Sequence, residues 1–477
     1  MRSAHNVMRY FREICSIPHP SFQMEAISDY CVDFARKRGL EATKDEACNV
    51  VIKVPGTSSR RFEPPVILQA HLDMVPAVAA GVDFDFSKDS LKLVEEDDWI
   101  YAEGTSLGAD DGIGVALCLA LIAADDIPHP PLICVFTANE EVGMLGAKAL
   151  DMSGIKAPRM INLDHCEEGS IVIGCAGGAT AELTLPIERK EITGKLIRID
   201  ITGMKGGHSG EKIHLGGANA LRMPGRIIRE MVYSGHTGFG LAEYGGGTAE
   251  NAIPKNSYCV LAVPEENAAA VQEAAESAAD ILRARWRKKE PDMKIEITSC
   301  DGSANALTFE STRAFARLIR DMPNGLMKMS DEMLDLPETS LNLGKGWLTE
   351  DAGKLVYLLR SSVDEEKERL KTEVENIVKD YGGTAAFSSD YPGWPIRLDS
   401  PLQNLAGMVW KWETDETLEI TATHGGLECG VFAAAYPDMD IISIGPTMLD
   451  IHTSGERLSL SSVELVWNFL TQMMEQL

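Results

Sequence analysis

The chain has no C-x-x-C pair and no even cysteine framework. Its ten cysteines are scattered at positions 15, 31, 48, 118, 134, 166, 175, 259, 300 and 429. They read as reduced, mostly buried thiols of a cytosolic protein. Basic residues are also short: 45 Lys and Arg face 72 Asp and Glu, a formal net charge of −27. Such a surface repels phosphate backbones and anionic lipid, so neither nucleic acid nor a membrane is an expected partner. The N-terminus has no uninterrupted apolar stretch to direct export, and a cytoplasmic location is expected. The longest apolar run, 112–124, spans roughly 13 residues, too few to cross a bilayer but right for a buried helix. No internal repeat or low-complexity tract is present.

What is present is a globular composition, 44% apolar and 25% charged, over 477 residues, too many for one hydrophobic core. Two or more domains are expected. The run Val66-Ile67-Leu68-Gln69-Ala70 reads as a buried strand and ends in His71-Leu72-Asp73. Strand periodicity puts His71 and Asp73 on one face, where a carboxylate can approach an imidazole and fix its tautomer. Leu132 to Ala138 is a second continuous apolar run, stopping at Asn139-Glu140-Glu141, and 157–164 is a third, ending in Asp164. Carboxyl ends of strands are where open α/β sheets bind ligands. Asp110 and Asp111 precede the apolar helix, where acids serve either as a cap or as ligands. His165 points away from its neighbour Asp164 and is not expected to be a ligand.

From about Lys195 the texture changes. Strands near 196–202, 256–263 and 293–298 alternate with helices near 216–234 and 268–285, and a second round follows to about 390. These segments are expected to form an inserted domain of two α+β units. The expected organisation is therefore a catalytic domain from 1–194 and 391–477, with an inserted domain at 195–390.

His71, Asp110, Glu140, Glu141, Asp164 and His452 thus fall at strand ends or a helix start of one α/β layer. So many acids cannot share a buried site without cations. Two divalent ions would balance Asp110, Glu141, Asp164 and a bridging hydroxide. Mixed His and carboxylate ligands suit zinc, with manganese or cobalt as alternatives.

His71-Leu72-Asp73, Gly108-Ala109-Asp110-Asp111-Gly112, Glu140-Glu141, Asn162-Leu163-Asp164, the Gly206-Gly207-His208-Ser209-Gly210 stretch and His452 together resemble the M20 metallopeptidases. More narrowly, Gly174-Cys175-Ala176-Gly177-Gly178 and His424-Gly425-Gly426-Leu427-Glu428-Cys429-Gly430 are similar to the aminoacyl-histidine dipeptidases. The resemblance covers essentially the whole chain. It implies a di-metal aminopeptidase-like α/β catalytic domain and an inserted lid and dimerisation domain of two ferredoxin-like units. It further implies that Asp110 bridges two metals, that His71 and Asp164 complete one, and that Glu141 and His452 complete the other. Asp73 would orient His71, and Glu140 would be the general base. The peptide after Asp110 is expected to be cis. At position 111, where this chain has Asp, the family often has Asn.

His208 in the inserted domain would polarise the scissile carbonyl, assisted by Asn251. Arg360 is the candidate for clamping the substrate's terminal carboxylate. Gly425 and Gly426 would admit the substrate backbone. The resulting expectation is a cytoplasmic, homodimeric metallo-dipeptidase favouring Xaa-His dipeptides. An aminoacylase, deacetylase or broader aminopeptidase is the alternative, and a silent metal- or peptide-binding protein is the reading from another class.

Overall fold

The computed structural model describes residues 3–477. The chain divides into two compact units. One holds the residues up to Cys175 together with Trp394–Ala422 and Leu427–Leu477, and the other holds Ala176–Gly393 and Thr423–Gly426. The strand Gly177–Pro186 already belongs to the second unit, so the boundary falls earlier than the change of texture at 195 suggests.

The first unit is built on an eight-stranded sheet. Its order is Glu41–Lys44, Val50–Val54, Leu132–Thr137, Val66–His71, Arg159–Asn162, Asp440–Ser443, Ser170–Cys175 and Glu419–Thr423. Four adjacent strands, from Leu132–Thr137 to Asp440–Ser443, run parallel. Their apolar runs are continuous because both faces are covered. Leu68, Cys134, Phe136 and Ile161 join one core with the helices His5–Cys15, Ala109–Ile122 and Leu460–Gln476. Ile67, Ile133, Val135 and Met160 join another with Phe432. Ala109–Ile122 is the expected buried helix, apolar all round and buried from Ala109 to Leu121. A separate four-stranded sheet pairs Met448–Leu449 with Arg457–Ser459, and so closes the loop 450–456 into a hairpin.

All ten cysteines are free, and only Cys300 is exposed. Among the described residues no helix is long and apolar enough to cross a membrane.

In the second unit two βαββαβ sets supply eight strands of one nine-stranded sheet, and Gly325–Met329, paired with Pro337–Leu348, is the ninth. The first set takes Arg189–Thr202, Gly240–Gly246, Ser257–Pro264 and Lys294–Leu307, with helices Arg222–Tyr233 and Glu265–Trp286. In space its fourth strand lies beside the first, then the third, then the second. The second set has the same arrangement, from Gly177–Pro186, Pro337–Leu348, Ala352–Ser361 and Thr384–Tyr391, with helices Phe309–Asp321 and Asp364–Asp380. The two rounds are therefore nested: the second set's first strand precedes the whole of the first set. The sets join where Gly245 and Gly246 pair with Trp347 and Gly346.

Candidate active site

Three parallel strands deliver the first donors. Val66–His71 ends at the histidine itself, and Leu163, one residue beyond Arg159–Asn162, still bonds through its N–H to Gln69 O, leaving Asp164 beside His71. After Leu132–Thr137 the chain turns at Asn139, in the left-handed region at φ 56°, and the N–H groups of Gly143 and Met144 close back onto Glu140 O. Asp110 lies at the head of Ala109–Ile122 in extended backbone, φ −81° and ψ 102°, and the Asp110-Asp111 peptide is cis. His452 comes from the hairpin loop, at φ 62°.

These donors form two groups that meet at Asp110. His71 Nε2 lies 2.9 Å from Asp110 Oδ1 and 3.6 Å from Asp164 Oδ1. His452 Nε2 lies 3.1 Å from Asp110 Oδ2 and 2.9 Å from Glu141 Oε1. Atoms of His71, Asp110 and Glu141 all fall within 4.8 Å of one another, and this is a donor set that can hold a metal ion. The His71 side chain is 1% exposed and that of His452 46%, so the site opens on the His452 side.

Asp73 works differently from its strand-face expectation. The strand has ended at His71, and His71 Nδ1 meets the main-chain oxygen of Asp73 at 2.9 Å, with the carboxylate farther off at 3.7 Å. That carboxylate instead accepts from the N–H of Glu140 at 2.9 Å, the N–H of Glu141 at 3.4 Å and Ser21 Oγ at 2.8 Å. Asp73 therefore orients His71 through its carbonyl and holds the Glu140-Glu141 turn through its side chain.

The electrostatics are those of a site short of positive charge. Burial, then the neighbouring Asp110, pushes Asp164 up to about 7. Burial also raises Glu140 well above the carboxylate range, where the attraction of His71 is outweighed by Glu141, Asp164 and Glu428. Burial lifts Glu141 as well, against its hydrogen bond from His452. Asp110 moves the other way: burial would raise it, but hydrogen bonds from His452 and His71 hold it below the usual range. Burial opposes protonation of His452, yet Asp110 and Glu141 lift it to about 11. Protons here stand in for missing cation charge, and the donors fit divalent metal.

His165 bonds Ser170 Oγ at 2.6 Å and is pushed down to about 4 by burial, as suits a histidine that is no ligand. Its carbonyl would lie 1.7 Å from a Cβ at Gly445. Gly445→Ala must therefore displace the 164–166 turn, and is expected to destabilise the fold by about 1–3 kcal/mol, read as a lower denaturation midpoint.

The remaining expected residues lie in the second unit. His208 pairs in a short antiparallel bridge with Ala252, and its side chain is 38% exposed. Asn251 is exposed, and its carbonyl accepts from the N–H of Ser209 at 2.8 Å. Arg360 is buried, its Nη1 donating to His424 O and to Tyr391 Oη, each at 3.3 Å. Its Nε is buried and finds no protein partner. Gly425 N bonds Thr423 Oγ1 at 2.9 Å and Gly425 O accepts from Ala176 N at 3.0 Å. Gly426 follows it in the same segment, Thr423–Gly426.

Three groups escape a reading of the sequence. Glu290 is buried and accepts from the N–H groups of Lys205 and Ala218, at 2.9 and 2.8 Å, bracketing the loop that carries His208. Glu428 accepts from Gln69 Nε2 at 2.6 Å and from Thr137, and burial pushes it up to about 8. Glu456 is the third. Glu290 and Glu456 carry no signal in sequence, because each is a lone acid whose partners are backbone groups, and Glu428, though part of the His424–Gly430 motif, carries none for its contacts with distant side chains.

Residues 67–476 match the model of peptidase family M20/M25/M40. The chain is 34% identical over 472 residues to the cytosol non-specific dipeptidase of Escherichia coli, covering 98% of this chain and 96% of that one. The structure superposes on aminoacylhistidine dipeptidase from Vibrio alginolyticus with a TM-score of 0.88 at 33% identity, over 100% of this chain and 97% of the other. A tripeptidase from Staphylococcus aureus, 17% identical with a TM-score of 0.60 over 100% and 99% of the chains, shares the fold.

Proposed function

This chain belongs to the M20/M25/M40 peptidase family, and from that membership together with its acid-rich site we propose a metal-dependent dipeptidase that favours Xaa-His substrates. The observation that carries the reading is Asp110, whose two oxygens face two separate donor pairs, His71 with Asp164 and His452 with Glu141. In this reading Asp110 is shared by two divalent ions, zinc by preference or else manganese or cobalt, and each pair completes one of them.

Bound there, the ions would supply Lewis acidity and lower the pKa of a water. The protein's own residues do the rest. Glu140, held by Asp73 through its N–H and raised by burial, takes a proton from the attacking water and returns it to the leaving amine. His208, assisted by Asn251, is assigned to the carbonyl oxygen. Arg360 is assigned to the terminal carboxylate, since its buried Nε has a donor to spare. Gly425 and Gly426 are assigned to admitting the substrate backbone, and at Gly425 a Cβ would also crowd Thr423 Oγ1 at 3.1 Å. A homodimer through the inserted unit and a cytoplasmic location complete the reading, and molecular mass in solution tests the dimer.

The test is a substrate panel on metal-restored protein: β-alanyl-histidine, alanyl-histidine, an unrelated dipeptide, a tripeptide and an N-acetyl amino acid. Cleavage confined to dipeptides and fastest with C-terminal histidine is the expected result. Equal rates on all dipeptides would remove the histidine preference, and turnover of the acetylated compound alone would make the protein an amide hydrolase of another kind.

A further inference from the structure

Glu456 lies outside both donor pairs, yet it is buried, 3% exposed, with no cation beside it among the described residues. Its carboxylate accepts four consecutive backbone N–H groups: Leu107 at 2.8 Å and Gly108 at 3.0 Å on Oε2, Ala109 at 2.8 Å and Asp110 at 3.3 Å on Oε1. This fan of amides lies in the segment ahead of the regular helix, for Asp110 and Asp111 are non-helical, and it includes Gly108, which sits in the left-handed region at φ 68°. A buried acid normally demands a cation or protonation, and here four converging N–H groups satisfy the carboxylate's oxygens.

The location of this acid makes the arrangement more than a helix cap. Glu456 is four residues beyond His452 in the hairpin loop between Met448–Leu449 and Arg457–Ser459. It therefore binds the loop carrying His452 to the loop carrying Asp110, although Glu456 and Asp110 are 346 residues apart in the chain. His71, Asp164 and Glu141 are set by strand ends of one sheet, whereas His452 comes from a hairpin that pairs in a different sheet and otherwise meets the Asp164 segment through the Met448 N–H to Cys166 O bond at 3.0 Å.

We infer that Glu456 is a positioning residue that clips the His452 hairpin onto the Asp110 loop, so that the Asp110–Glu141–His452 cation site forms only while this clip is closed. The inference rests on the two-metal reading above. It assigns Glu456 an unequal effect on the two ions: the site using His452 depends on it strongly, and the site using His71 and Asp164 weakly.

The test uses Glu456→Gln in the full-length chain. The amide keeps the volume, but its NH2 group turns a donor towards backbone donors, so at most two of the four bonds survive. Metal-depleted wild-type and variant are titrated with zinc by calorimetry. The wild type should take up two ions, and the variant should keep one site near its wild-type affinity while the other weakens about ten- to a hundredfold. His452→Ala, which removes the ligand itself, should show the same pattern. The melting temperature of the metal-free variant separates positioning from folding: a clip lowers mainly the gain in melting temperature on adding zinc. Unchanged two-site binding in the variant, or equal weakening of both sites, overturns the inference. A wild type that binds no zinc overturns the two-metal reading instead.

Discussion

Glu140→Ala should lower kcat by about a hundred- to ten-thousandfold while leaving metal content and melting temperature at their wild-type values. The side chain is not needed to build the site. The turn that presents it is held by main-chain bonds from Gly143 and Met144 to Glu140 O, and by Asp73 accepting the Glu140 N–H, all of which survive truncation. What is lost is a carboxyl poised to exchange a proton. Burial, with Glu141, Asp164 and Glu428 outweighing the pull of His71, places its titration above the ordinary carboxylate range, closer to the pH at which it would work. Glu140→Gln, which preserves shape, should be as inactive as the alanine variant. Activity of the glutamine variant above roughly a tenth of wild type would take the proton-transfer role away from this residue.

Removal of the metal should abolish peptide hydrolysis outright and make stability depend on pH in a particular direction. In the metal-free protein Asp164 titrates at about 7, with Glu140 and Glu141 raised in the same sense. An acid whose folded pKa is raised binds more protons folded than unfolded, so its stabilising contribution is present at low pH. That contribution is lost as pH rises from about 4, the unfolded carboxylate value, through 7. His452 acts in the same direction at the upper end: lifted to about 11, it contributes stability that fades as pH rises above the ordinary histidine range. The gain in melting temperature on adding excess zinc should therefore grow from about pH 4.5 to 8, because the ions replace the protons, while buried histidines such as His165, which act the other way, contribute equally with and without metal. At neutral pH the gap should be worth about 4 kcal/mol for each ion when free metal is about a thousand times its Kd. A gain that stays constant or shrinks over that window would show that these acids are not crowded together without their cations.

Much of this site can be read from sequence because its donors end apolar runs. A continuous apolar run is unambiguous where a strand is buried on both faces, and here Val66–His71 and Leu132–Thr137 are buried at every position. The turn after such a strand is where an acid becomes conspicuous, as at Glu140 and Asp164. The strand Gly177–Pro186 escapes for the opposite reason. It begins with two glycines and alternates small or polar residues with Ala181, Leu183 and Leu185, so its apolar signal is thin. The order of strands in the second unit is equally hidden, because nesting leaves no trace in local periodicity. Asp73 shows a subtler failure. Strand spacing correctly brings it beside His71, but the strand stops at the histidine, and the contact is made by the carbonyl. Glu456 and Glu290 are invisible because their partners are backbone amides, which every residue except proline carries.

The nested strands of the second unit have a consequence for how that unit folds. The inner set enters at Arg189 and leaves at Leu307, and its flanking residues touch, since Thr308 N bonds Glu188 O at 2.8 Å. Pairing Gly177–Pro186 with Ala352–Ser361 in an unfolded chain would mean closing a loop longer than the whole inner set. Once the inner set has folded on its own local contacts, its share of that loop shrinks to the width of one hydrogen-bonded pair and residues 308–351 remain to be closed, which lowers the closure cost by about 1 kcal/mol. The inner set is thus a self-contained detour in the chain, and folding it first would shorten the closure that the outer sheet requires.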